Sequence, residues 1–336
     1  MAMIKTEPKD LSKPEHIREN KSKIWMAAIK PLGRIDPIFP FGKVYQFKEN
    51  VYSILEESFD GHGDVWMHLI VGPEKAMLIE CGFGIGNLRG LVEKLLAGKP
   101  YIVVNTHPHL DHCFGDCQFD EVFCHEYAVE RLNSQTPKQW DGLVDEQGKG
   151  LHRDFTRADI IPFKRFKAIG CKNHTIFNLG GDYDVEMIFI PGHDPAHVCF
   201  LDRKDRILYT GDSLLYVAGM GYNPRRDFAL MDRGWNCTVE AFRNELEKLA
   251  QRVDEFDELF MSHMVLGESK QLVLDMFTAA DAVVKDPDCN NFIHHDQRNG
   301  CVNKVKEVGL ASVEYTDSRI YIADAMQHWR ENGIQD

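Results

Sequence analysis

Three histidines and one aspartate fall within six consecutive positions: His107, His109, Asp111 and His112, in the run Asn105-Thr106-His107-Pro108-His109-Leu110-Asp111-His112. The run begins where the apolar segment Tyr101-Ile102-Val103-Val104 ends. His107 and His109 are two apart, so an extended backbone sends both imidazoles to the same side. His109 and His112 are three apart, which is near-neighbour spacing if a helix starts there. A lone histidine in such a place ordinarily caps or lines a loop. Four donors at the C-terminal edge of a strand can instead converge on a small volume, and imidazole with carboxylate suits zinc, or iron or manganese under other supply.

Three further segments follow in order, each at the end of an expected strand. Pro191-Gly192-His193 follows residues 185–190, Thr210-Gly211-Asp212 follows 206–209, and Ser262-His263 follows 258–261. The ordered set H-x-H-x-D-H, P-G-H, G-D and a final histidine resembles the metallo-β-lactamase superfamily, which includes glyoxalase II-like thioesterases, lactonases, phosphodiesterases and β-lactamases. The resemblance runs from about Val44 to His263. It implies an α/β (α+β) fold, a four-layer αββα sandwich with the site at one edge of its two sheets. It also implies two Zn2+ ions, the first held by His107, His109 and His193 and the second by Asp111, His112 and His263, with Asp212 bridging them. Histidine at position 109 is similar to the glyoxalase-type and lactonase-type branches, whereas the flavodiiron branch usually has glutamate there. One departure stands upstream: Glu80-Cys81-Gly82 occupies a place where the family commonly has aspartate before Cys/Thr-Gly. An acid there is expected to orient ligands from behind, and the longer glutamate must approach from a shifted position.

A site of this kind implies hydrolysis by a metal-bound hydroxide, with Asp111 accepting a hydrogen bond from it and no serine or cysteine nucleophile required. The bond cleaved is expected to be an ester, thioester or lactone in a small or medium organic molecule. Phosphodiester or β-lactam hydrolysis, and sulfur dioxygenation by a single iron, are the alternatives on the same fold; a degenerate ligand-binding scaffold is the non-enzyme alternative. Some lactonase-like relatives place a tyrosine hydroxyl near the bridging aspartate, which makes Tyr216 a candidate for polarising a carbonyl. His197 is a candidate for touching substrate or supporting a ligand, against the plain alternative of packing or facing solvent. Cys113 and Cys117 follow the motif at helical spacing, but free cysteines are among the most buried residues and core packing is expected. Cys81 sits beside the site, where a small residue in a tight turn explains it equally well. His294-His295 reads as surface.

The elements that must position these residues follow from periodicity. Short apolar or β-branched runs at 44–55, 65–71, 75–80, 101–106, 174–181, 185–190, 197–202, 206–212 and 258–263 read as strands. Residues 88–98, 239–253 and 271–284 have apolar positions at helical spacing. Strands in two clusters, each followed by helices, suggest two sheets covered on their outer faces. The expected organisation is an N-terminal arm and lead-in at 1–42, a catalytic domain at 43–286 and an extension at 287–336 packing on it. Residues 1–25 are polar and read as a loosely held arm, and 30–42, with three prolines and two glycines, as irregular chain. Two insertions, near 135–170 and 213–235, are long enough to matter for function. The first carries Trp140, Phe155, Phe163 and Phe166, which with Phe39-Pro40-Phe41 would line an apolar substrate pocket, seal the core or form a dimer face. The second mixes Tyr216, Met220, Tyr222, Phe228, Met231 and Trp235 with Arg225 and Arg226, as a lid, pocket wall or oligomer contact.

Composition narrows the partners. A formal net charge of −13 with no basic stripe argues against nucleic acid. The first residues lack an apolar leader and no stretch is long enough to cross a bilayer. Nine cysteines without regular spacing suit a reducing cytoplasm. The expected partner is a small-molecule substrate, with a homodimer possible. The region after His263 lacks the clustered basic residues expected for binding glutathione.

Overall fold

The computed structural model describes residues 14–220, 233–296 and 301–332. Strands β1 (Arg34–Asp36), β2 (Phe39–Lys48), β3 (Val51–Glu56), β4 (Val65–Val71), β5 (Ala76–Ile79), β6 (Tyr101–Val104), β7 (Glu121–His125) and β8 (Lys167–Cys171) lie side by side in chain order as one eight-stranded sheet. Pairing is antiparallel up to β5 and parallel from there to β8. A parallel step needs a crossover, and the one from β5 to β6 carries a helix at Leu88–Leu96.

A second sheet is built from β9 (Ile176–Asn178), β10 (Asp184–Phe189), β11 (Val198–Asp202) and β12 (Ile207–Gly211). After β13 (Val217–Gly219), which belongs elsewhere, β14 (Glu258–Met261) and β15 (Leu266–Ser269) complete it in the order β15-β14-β12-β11-β10-β9. The two sheets face each other across a core in which Trp66, Ile79 and Val104 meet Met187, Phe200 and Phe260.

The helices are α1 (Pro14–Ile29), α2 (Leu88–Leu96), α3 (Leu110–Cys113), α4 (Val129–Asn133), α5 (Val239–Ala250), α6 (Gln271–Lys285) and α7 (Ile322–Asn332). Leu88, Leu91, Val92 and Leu96 put one face of α2 against Ile54, Leu69 and Leu78 on the outside of the first sheet. Phe242 and Leu246 of α5, with Val273 and Met276 of α6, cover Leu201, Leu208 and Leu259 of the second. The result is the four-layer αββα sandwich. Side-chain caps fix where two of these helices start: Asn87 accepts from the Gly90 amide at 2.8 Å, and Thr238 from the Ala241 amide at 3.2 Å. Among the described residues no helix is long and apolar enough to cross a membrane.

Three features differ from the sequence-based expectation. The polar N-terminal segment is not loose over its whole length, because it contains α1. Trp25, Met26 and Ile29 of α1 pack on the inter-sheet core, and Arg18 donates to Ser312 Oγ at 2.8 Å and pairs with Glu307 at 2.5 Å. The proline-rich lead-in is likewise ordered, and β2 starts at Phe39 rather than Val44. Beyond residue 286, β16 (Phe292–Asp296), β17 (Cys301–Val308) and β18 (Ala311–Tyr315) form a third sheet that β13 joins in parallel, in the order β13-β18-β17-β16. Part of the stretch after Asp212 is therefore strand; Tyr222, Arg225, Arg226, Phe228 and Met231 lie outside the described residues. The aromatics of the 135–170 insertion seal a satellite core: Trp140 and Phe155 are buried with Phe59, Phe83 and Ile85, and Phe163 and Phe166 lean on them.

Candidate metal centre

Strand order brings the chemistry to one edge. Beyond the end of β6, Asn105 is tied to β7 through its amide and Phe123 O at 3.0 Å. His107 and His109 follow on extended chain, and His109 is the N-cap of α3, its carbonyl accepting from the amides of His112 at 3.2 Å and Cys113 at 3.0 Å. That single turn returns Asp111 and His112 toward His107. From the second sheet, His193 arrives beyond β10, Asp212 directly after β12 and His263 beyond β14. Gly211 has φ +52°, and a Cβ there would lie 2.5 Å from His197 Nε2 and 2.6 Å from Thr106 Oγ1. Only glycine lets β12 deliver Asp212 so close to the histidine loop.

The seven donors fall into two sets, one of His107, His109, His193 and Asp212, the other of Asp111, His112 and His263; a third grouping, Glu80 with His107 and His112, overlaps both. Asp212 stands between them. Its Oδ2 is 3.9 Å from His107 Nε2, 3.5 Å from His193 Nε2 and 3.5 Å from His112 Nε2, and its Oδ1 is 3.4 Å from His263 Nε2. Asp111 Oδ2 is 3.4 Å from His112 Nε2 and 3.3 Å from His263 Nε2, and His193 Nε2 is 2.9 Å from His109 Nδ1. Most of these separations are too long for good hydrogen bonds. They fit donors arranged around ions, since ligands about 2.0–2.1 Å from a tetrahedral zinc lie roughly 3.3 Å from one another. His107 Nε2, His112 Nε2 and Asp212 Oδ1 are buried without a hydrogen-bond partner, an arrangement costly for polar atoms unless something else engages them. The residues present therefore fit a metal pair.

The outward nitrogens of His263 and His107 have an oxygen at hydrogen-bond distance, and those of His109 and His112 face carboxylates farther off, a pattern of the kind that orients ligands in metal sites. His263 Nδ1 lies 2.8 Å from the carbonyl of Asp64. His109 Nε2 is 3.6 Å from buried Asp194, which Arg131 pairs at 2.8 Å. His107 Nδ1 is 2.9 Å from Thr106 Oγ1, and that hydroxyl donates to Glu80. Glu80 Oε1 also accepts from the Thr106 amide at 3.1 Å, while its Oε2 faces His112 Nδ1 at 3.6 Å. The longer acid thus reaches two histidines, one through Thr106 and one directly. It does so from a backbone at φ +72°, an uncommon setting for a non-glycine residue.

Electrostatics sort the imidazoles. Burial is the largest cause that pushes His107, His109, His193 and His197 down toward the neutral form. Burial opposes charge on His112 and His263 too, but Asp111 and Asp212 outweigh it and hold both well above the usual imidazole range. The same pairing, against burial, holds Asp111 and Asp212 well below the usual carboxylate range. The polypeptide is thus built to hold positive charge between two carboxylates.

A cleft of about 870 Å³ opens over the centre, with His109, Asp111, His193, Asp212 and His263 in its floor. Asp60 and His62 stand on one side and Arg131, Gln135, Lys138 and Gln139 on another. Leu110, Phe114, Leu215 and Met264 supply apolar surface.

All seven donors singled out by spacing and resemblance come together here. Tyr216 does not. It is 1% exposed within the core under α5 and α6, its hydroxyl donates to Glu268, and it is absent from the cleft wall. The tyrosine falls on the far side of the chain because Ser213 turns the segment inward, donating to Ile190 O at 2.7 Å. His197 acts behind the donors: its Nε2 accepts from the Asp212 amide at 3.0 Å. Cys81, Cys113 and Cys117 are all buried, with burial pushing each thiol up, and Cys113 also borders the cleft. Spacing missed Asp194, Thr106, Arg131 and the Asp64 carbonyl. The first two adjoin named donors and could have been found by asking what backs each imidazole; a backbone carbonyl and an arginine in a separate helix leave no such trace.

The fold and donor set define a class, and the Metallo-beta-lactamase superfamily description matches residues 60–256, more than half of the chain. The chain belongs to the metallo-beta-lactamase superfamily. It is 26% identical over 183 residues to "Acyl-coenzyme A thioesterase MBLAC2" of Homo sapiens, a match covering 49% of this chain and 63% of that protein. To "Hydroxyacylglutathione hydrolase GloC" of Haemophilus influenzae it is 28% identical over 182 residues, covering 53% of this chain and 77% of the relative. The match thus spans less than two thirds of the human protein's length. Among solved structures, DIM-1 metallo-beta-lactamase superposes with a TM-score of 0.50 at 15% identity, over 73% of this chain and 99% of that one, a likeness of fold alone.

Proposed function

We propose that this chain is a dizinc hydrolase that cleaves an ester-type bond, with an acyl thioester as its first substrate class. The observation that carries the reading is the pair of donor sets, with Asp212 of the first within 4 Å of His112 and His263 of the second, lining an open cleft. His107, His109 and His193 would hold one ion, Asp111, His112 and His263 the other, and Asp212 would serve both. Such a pair supplies a water of lowered pKa for attack and a Lewis acid for the scissile carbonyl. The chain's own contribution is positional. Asp111, steadied between His112 and His263, accepts a hydrogen bond from the attacking water and directs it. Leu110, Phe114 and Leu215 exclude bulk water beside the acyl group, while Gln135, Gln139 and Lys138 face the leaving group with polar atoms. The thioester preference rests on the two relatives, whose names describe hydrolysis of acyl-coenzyme A and of hydroxyacylglutathione. On this reading the catalytic unit is residues 43–286.

The test is a comparison of kcat/KM for an acyl-coenzyme A thioester, a lactone, a β-lactam and an aryl phosphodiester on zinc-loaded protein. The thioester should turn over fastest and a metal chelator should abolish the activity. Preference for the phosphodiester or β-lactam would overturn the substrate class, and thioester turnover resistant to the chelator would overturn the metal chemistry.

A further inference from the structure

A second cavity, of about 320 Å³, lies where α1 crosses the first sheet, within the size range of small-molecule pockets. Met26, Ala27, Ile35, Pro40, Tyr45 and Leu55 give it an apolar wall. Ile35 is 61% exposed, so a large aliphatic side chain stands in water at the opening. Lys30 and Lys43 also border the cavity, and neither ammonium group has an ion-pair or hydrogen-bond partner among the described residues. Two carboxylates share the lining, Glu57 and Asp64. Asp64 is already engaged, accepting from the Ser58 amide at 2.9 Å and facing Arg153 at 3.6 Å. Asp64 is thus shared with Arg153, which leaves Glu57 as the lining carboxylate without an ion-pair partner among the described residues.

We infer that this cavity binds a single aliphatic chain ending in a carboxylate, the chain on the apolar wall and the head between Lys30 and Lys43. An apolar wall beside two ammonium groups without side-chain partners rewards that combination: the tail gains by leaving water, and the charged head is met by opposite charge instead of being buried unpaired. An uncharged chain would use only the wall, and a compact anion only the lysines. The site is separate from the cleft over the metal centre, with Asp64 between them, its carbonyl backing His263.

Tyr45 packs against Trp66 at 5.3 Å between ring centroids, and Trp25 against Trp66 at 6.0 Å, so tryptophan fluorescence reports on the cavity. The experiment titrates decanoate, below its micellar concentration, into the full zinc-loaded chain, with 1-decanol in parallel. A saturable fluorescence change is expected, about tenfold weaker in Ile35→Asp and in Lys30→Glu, tighter in Glu57→Gln, and weaker for decanol than for decanoate. Both weakened variants alter exposed side chains, and unchanged melting temperatures confirm that they fold. Absence of saturable binding overturns the inference. So does binding that all three variants leave unchanged, which would put the carboxylate on the metal centre instead. Decanol binding as tight as decanoate would also overturn it. None of these readouts requires turnover, so the outcome stands apart from the thioesterase proposal.

Discussion

Asp212→Ala is expected to lower kcat/KM for thioester hydrolysis by about three orders of magnitude and to lower the zinc content of the purified chain. Asp212 faces histidines of both sets within 4 Å: His107 and His193 of the first, His112 and His263 of the second. Its removal leaves each set with three histidine or carboxylate donors and deletes what ties them together. Lewis-acid stabilisation of this kind is worth several kcal/mol, and each 1.36 kcal/mol is a factor of ten, which gives the figure of about 10³. Asp212 Oδ1 is buried without a hydrogen-bond partner, so the substitution removes no short contact from the fold. Parallel kinetics and elemental analysis check the expectation; near-parental turnover would remove Asp212 from the machinery.

Glu80→Gln is the second large effect. It should weaken zinc binding 10- to 100-fold, the usual cost of losing a group that orients a metal-bound histidine. Glu80 supports both sides of the centre, His107 through Thr106 and His112 through Oε2. Glutamine keeps the shape and one carbonyl oxygen, which can continue to accept from Thr106. Its amide then turns N–H groups toward His112 Nδ1, where a ring bound through Nε2 presents its own N–H. Two donors face each other, and His112 loses the carboxylate charge that faces its Nδ1 at 3.6 Å. Competition against a chromogenic zinc chelator measures the affinity. Unchanged affinity would mean that His112 is held by packing alone, and Glu80→Asp, too short to reach Thr106, should then be silent as well.

The convergence of the donors was legible in the sequence because metal-ligating residues are of a few types and are expected at strand ends. His107 through His112, His193, Asp212 and His263 satisfied both conditions. The αββα layering was legible for a related reason, since runs such as 65–71 and 101–104 are too apolar and too short to be anything but buried strands. What stayed hidden depends on surroundings rather than on composition. The helix α1 is mostly polar, and Trp25, Met26 and Ile29, with the Arg18 contacts and the Lys21–Glu268 pair, tie it down. Strand β13 is three residues long and takes its partner from beyond residue 300, so nothing local marks it. Tyr216 had the right type at a suggestive distance from Asp212, yet side-chain direction after a tight turn is set by packing, and the Ser213 anchor sends it to Glu268. Glu80 was visible as a departure, but its reach to both Thr106 and His112 depends on a positive φ that the sequence does not display.

The most direct measurement is the metal stoichiometry of the full chain, by elemental analysis as purified and after zinc reconstitution, with loss of activity followed as the metal is withdrawn. About two zinc ions per chain, with turnover lost on their removal and restored on their return, is the predicted result. A single iron with oxygen uptake, or no tightly held metal even in excess zinc, would contradict the two-site centre at its root.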